Sequence, residues 1–114
     1  MGRINSKIKG KNAENELAQI LRQHGYDAHR GQQFSGGIDS PDVYGLPGIH
    51  IEVKRVERLN ISEAYRQAER DSEGKAIPAV FHRRNREKWM VTVSLDDFME
   101  IYKAWQKEEC LQKQ

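Results

Sequence analysis

Apolar positions in this chain fall into two periods, and the switches between them mark its elements. In KNAENELAQILRQH, residues 11–24, Leu17, Ala18 and Leu21 recur at helical spacing. Asn12 is placed to cap that helix and Gly25 to end it. Residues 26–30 read as a short strand, followed by GQQFSGGIDSP, a loop rich in glycine and polar residues. Residues 42–45 and 49–55 read as two strands joined by GLPG. A second helix is expected over 61–73, with Ile61, Ala64, Tyr65 and Ala68 inward and Asn60 or Ser62 as its cap. AIPAVFHRR and KWMVTVS are two further strands around a basic turn at Asn85. Leu95, Phe98, Met99, Tyr102 and Trp105 give a last helix over 95–108 an apolar face, and residues 109–114 are expected to fray. Helix, strands, helix, strands, helix is the order of an α/β domain, a central mixed sheet flanked by helices.

Composition narrows this further. At 114 residues the chain fits a single domain, with 1–10 as a basic N-terminal arm. Charged residues reach 32%, yet the apolar ones are clustered periodically, which excludes the disordered class. No apolar run approaches the length of a membrane span, and the N-terminus lacks the apolar stretch of a secretory signal. The single cysteine, Cys110, excludes an internal disulfide and fits a reducing cytosol. A net charge of +2 hides two basic clusters: Arg3, Lys7, Lys9 and Lys11, then His82, Arg83, Arg84 and Arg86. Both suit a phosphate-rich partner; a solvated charged face explains either one alone equally well.

The strand at 49–55 carries the chemistry. Side chains alternate, so Ile49, Ile51 and Val53 share one face and His50, Glu52 and Lys54 the other. An isolated Glu-x-Lys triplet is usually a surface ion pair worth about 0 to 1 kcal/mol. Two more carboxylates change that balance. Asp42 lies just ahead of the GLPG turn and falls beside Glu52 if the strands pair across it. Glu14 heads the apolar stripe of Leu17, Ala18 and Leu21, where a lone carboxylate is poorly tolerated; Glu16 lies off that stripe, toward solvent. Three acids and one ammonium converging on a sheet edge suit a hard divalent cation. The four histidines have no zinc-ligand spacing with Cys110, so no zinc site is expected.

Pro41-Asp42 followed by Glu52-Val53-Lys54 resembles the PD-(D/E)xK signature of the restriction-endonuclease-like nucleases. KGKNAENELAQILRQHGY, and Arg30 in DAHRG, make the chain most similar to archaeal-type Holliday junction resolvases and their phage relatives. The likeness runs from about Lys9 to about Asn85; Asn15 departs from it, since an arginine is common there. The resemblance implies a restriction-endonuclease-like fold and an endodeoxyribonuclease leaving a 5′-phosphate and a 3′-hydroxyl. It implies Mg²⁺, with Mn²⁺ as substitute, held by Asp42, Glu52, the Val53 carbonyl and Glu14. Lys54 is read as orienting the attacking water and stabilising the phosphorane rather than as a strict base, with Gln67 steadying it. An ordinary exposed helical glutamine explains Gln67 as well. Lys9, Lys11, Arg30, Arg55 and Arg58 are candidate phosphate contacts, as is Ser40, which a turn role explains equally. Phe34, in the glycine-hinged loop, either reaches a branch point or packs on its own domain. Trp89 and Trp105 suit core or interface.

The implied substrate is a four-way DNA junction, cut by paired symmetric nicks from a cytoplasmic homodimer; the apolar faces of the last strands and helix suit either its dimer surface or the completion of a monomeric core. The rivals are a nicking, flap or restriction-type nuclease and a non-catalytic DNA-binding protein of the same fold. A pure binder gains nothing from clustered acids that repel phosphate.

Overall fold

The alternation at 49–54 builds the central strand of a five-stranded sheet. The computed structural model describes residues 6–31 and 41–112. Its elements are α1 (Ser6–Gln23), β1 (His29–Arg30), β2 (Val43–Tyr44), β3 (Ile49–Lys54), α2 (Ile61–Ser72), β4 (Ile77–His82), β5 (Met90–Thr92) and α3 (Leu95–Gln112). The strands lie in chain order. β3 and β4 are parallel, with Glu52 opposite Val80; the other neighbours are antiparallel. A parallel pair needs a crossover, and α2 supplies it.

The two faces of β3 meet different helices. Ile51 and Val53 pack with Ala79 and Phe81 against Ala13, Leu17 and Ala18 of α1. On the opposite face Val80 packs with Ala64 and Ala68 of α2, and Ile61 and Tyr65 flank them half-buried. α1 and α2 thus cover opposite faces of the sheet, and the polar side of β3 is roofed by α2 instead of facing water.

Local chemistry explains the boundaries. α1 closes with the Tyr26 N–H on the Leu21 carbonyl and the Gly25 N–H on the Arg22 carbonyl, Gly25 standing at φ +97°. That closure uses Tyr26, so β1 shrinks to His29–Arg30 instead of the expected 26–30. At its start α1 runs past Asn12, which is a helical residue and not the cap. Lysines are good helix formers, and the cost of Gly10, about 1 kcal/mol, is outweighed by the packed turns that follow. The basic arm therefore overlaps the helix. α2 is capped by Asn60, whose side chain accepts from the Glu63 N–H at 3.1 Å.

α3 differs most from expectation. It stays helical to Gln112, through most of the tail expected to fray, and none of its residues is buried. Phe98, Tyr102 and Trp105 stack along its apolar face, with Trp105 57% exposed. Its amphipathic stripe is real, but none of the described residues buries it.

Gly45 seats the β2–β3 hairpin against the segment leading into β1. It stands at φ +133°, and a Cβ there would lie 2.5 Å from the Ala28 Cα. Gly45→Ala is expected to cost on the order of 3 kcal/mol, from left-handed strain plus a backbone clash. Urea unfolding measures this; a loss below about 1 kcal/mol would contradict the close approach.

Candidate active site

β2 and β3 pair with Val43 opposite Ile51, and the Asp42 N–H donates to the Ile51 carbonyl at 2.9 Å. This register sets Asp42 beside Glu52 on the face roofed by α2. Asp42 Oδ2 also accepts the Val53 N–H at 2.8 Å, which fixes the carboxylate at the strand end. Both acids are buried, Glu52 to 4% exposure. Burial raises the Asp42 pKa, opposed by the Val53 N–H. Burial, then the Asp42 charge, pushes Glu52 up to about 7. The two carboxyls sit side by side, and burial disfavours the charged form of both.

Lys54 lies on the same face. Its Nζ is 3.5 Å from Glu52 Oε2 and donates to Gln67 Oε1 of α2 at 3.3 Å. Gln67 is half-buried and bonded, not a free surface glutamine.

Glu14 comes from α1, on the other side of the sheet. The Arg30 Nε donates to its Oε1 at 2.7 Å. Burial raises the Glu14 pKa, the Arg30 bond opposes this, and Asp42 is the strand carboxylate that acts on it. Glu14 thus stands at the Asp42 edge of the cluster, locked to Arg30.

The expected phosphate contacts divide. Lys11 and Arg58 are exposed and Lys9 is half-buried. Arg30 is committed to Glu14. Arg55 is turned inward: its Nη2 donates to Asn85 Oδ1 at 2.8 Å, and its Nη1 lies 3.7 Å from Glu57. Ser40 and Phe34 lie outside the described residues. Glu16 does not face free solvent as expected; it accepts from Arg83 and, at 3.0 Å, from Trp89 Nε1. Periodicity places Glu16 off the stripe but says nothing of donors arriving from residues 83–89. Trp89 itself packs on the α1-side core.

Sequence reasoning missed Asp71 and undervalued His50. One ligand atom from each of His50, Glu52 and Asp71 lies within 4.8 Å of the others. Asp71 also acts on the titration of both His50 and Glu52. The signal was present: Asp71 follows Gln67 by four residues, so both sit on one face of α2. What was missing was that this face covers β3.

The donor set suits a divalent cation. Two buried carboxylates lie together, and burial disfavours the charged form of both. Carboxylate oxygens are the hard ligands such an ion takes.

The family model of the archaeal Holliday junction resolvases (Hjc) matches residues 5–102. The chain belongs to the archaeal Holliday junction resolvase family. It is accordingly an endonuclease of the class that resolves four-way DNA junctions. Among solved structures it is similar to the Holliday junction resolvase Hjc of Archaeoglobus fulgidus, described as coming from an archaeal hyperthermophile. Identity is 25% over 75% of this chain and 72% of that one, with a TM-score of 0.56. The expected restriction-endonuclease-like α/β fold is therefore present in this Holliday junction resolvase family member. No curated protein matches the chain.

Proposed function

We propose that the protein is a Mg²⁺-dependent resolvase that makes paired symmetric nicks in four-way DNA junctions. One observation carries this reading: a buried Asp42–Glu52 pair, with Lys54 held beside it by Gln67. Asp42, Glu52 and the Val53 carbonyl would hold the ion, Glu14 entering from the Asp42 side. When bound, the ion supplies positive charge at the scissile phosphate and makes water a stronger nucleophile.

The chain's own residues do the rest. Asp42, fixed by the Val53 N–H, offers its second oxygen to the ion. Glu52 would hold the ion as a carboxylate, with Lys54 beside it to balance the charge. Lys54, tethered by Gln67, orients the attacking water and balances charge on the phosphorane. Arg30 holds Glu14 in place and is near enough to the site to reach a phosphate. Lys9, Lys11 and Arg58 hold the duplex arms by phosphate contacts. Lys11→Ala should weaken junction binding on all arm sequences and lower the salt slope by about 1.

Pairing two cuts needs two sites related by a two-fold axis. α3 and the edge strand β5, where Met90 and Val91 are exposed, supply an apolar surface for a homodimer. Trp105→Glu should give monomers by sedimentation and uncouple the two nicks. Among the described residues no helix is long and apolar enough to cross a membrane.

The test compares labelled four-way junction, linear duplex and flap in Mg²⁺. Paired symmetric nicks confined to the junction are expected. Equal cutting of flap or duplex would replace this reading with a nuclease of another DNA form. Binding without cleavage in Mg²⁺ or Mn²⁺ would leave only a DNA-binding role.

A further inference from the structure

His50 has a chemistry the nuclease reading does not use. It points to the α2 face of β3, is 4% exposed, and its Nε2 is buried without a hydrogen-bond partner among the described residues. An unpaired buried ring nitrogen is costly to maintain. Beside it stand Glu52 from its own strand and Asp71 from α2, the three ligand atoms mutually within 4.8 Å. Bonds of about 2.1 Å at tetrahedral angles place the ligand atoms of one ion about 3.4 Å apart, so side-chain shifts of about an ångström bring all three to a common centre. A cleft of about 580 Å³, lined in part by His50, Asp71, Tyr44 and Lys75, leads to two of the three ligands from solvent.

We propose that His50, Glu52 and Asp71 form a second cation site, selective for a transition-metal dication of the Zn²⁺ or Mn²⁺ class over Mg²⁺. The selectivity follows from the donors. One imidazole nitrogen and two carboxylates suit zinc and manganese, whereas magnesium takes oxygen ligands and keeps its waters. This site lies on the side of Glu52 away from the Asp42-bound Val53 amide and uses neither Asp42 nor Lys54. It shares Glu52 with the proposed nuclease centre, and an ion seated here draws that carboxylate toward α2. Zn²⁺ is expected to bind more tightly than Mn²⁺.

The probes are Mn²⁺ and Zn²⁺ added to the full chain without DNA. Electron spin-echo envelope modulation of bound Mn²⁺ should show coupling to an imidazole nitrogen in the wild type and in Asp42→Asn. The coupling should vanish in His50→Gln. Calorimetric Zn²⁺ affinity should fall at least tenfold in both His50→Gln and Asp71→Asn, while Asp42→Asn stays within threefold. Asp71 is only half-buried, so Asp71→Asn keeps the test valid if replacing buried His50 perturbs folding. Absence of nitrogen coupling in the wild type, or wild-type Zn²⁺ affinity in Asp71→Asn, would overturn the site. Either failure leaves Mg²⁺-supported junction cleavage, the test of the nuclease reading, untouched.

Discussion

Asp42→Asn should slow junction cleavage by about 10³-fold or more, an effect of about 4 kcal/mol on the barrier. The change removes one charge and no volume. Its amide oxygen still accepts the Val53 N–H, so β2 and β3 keep their register and the fold persists. What is lost is the anionic ligand, and with it the ion's affinity and position. Junction binding should be retained or strengthened, since a negative charge leaves the path of the phosphate. Single-turnover cleavage with gel-shift binding in Ca²⁺ separates the two effects. Cleavage within tenfold of wild type would remove Asp42 from the mechanism. Loss of binding in parallel with cleavage would mean a folding defect instead.

Glu52→Gln should do two opposite things: abolish cleavage and stabilise the metal-free protein at high pH. Glu52 is held at about 7 in the folded state against an ordinary value of 4.5. The folded state therefore binds more protons than the unfolded state between those values, and stability falls as pH rises through that window. Above about pH 8 the loss reaches about 3 kcal/mol for the wild type, since each pKa unit is worth about 1.4 kcal/mol. Glutamine is neutral throughout, so it escapes the loss. The variant should match wild type near pH 4.5 and exceed it by several degrees in Tm near pH 8, both in EDTA. Mg²⁺ should then raise the wild-type Tm more at pH 8 than at pH 5.5, and leave the variant unmoved. Equal stability of the two proteins at both pH values would mean that Glu52 is not strained by its neighbours.

Much of this site was legible from residue order because its parts are local. The Glu52–Lys54 pair follows from strand alternation, and the Asp42 position from a short hairpin whose turn residues are unambiguous. The inward head of α1 is written in the spacing of Glu14, Leu17 and Ala18. Element ends were less legible. Asn12 reads as the cap of α1, yet packing of the following turns carries the helix back through Asn12 and Gly10 to Ser6. The charged tail after Glu108 reads as frayed, yet it continues α3 to Gln112.

Sequence alone determined that a strand would carry an acid and a base on one face, with a second acid across a tight turn. Alternation and turn chemistry act within a few residues, so they survive without knowledge of the rest. Tertiary structure decided that α2 covers that face, burying His50 and Glu52 and bringing Gln67 and Asp71 onto them. It also decided that Arg30 locks Glu14 and that Arg55 turns to Asn85. Those outcomes depend on which helix crosses which face of the sheet, a choice made by packing between segments far apart in the chain.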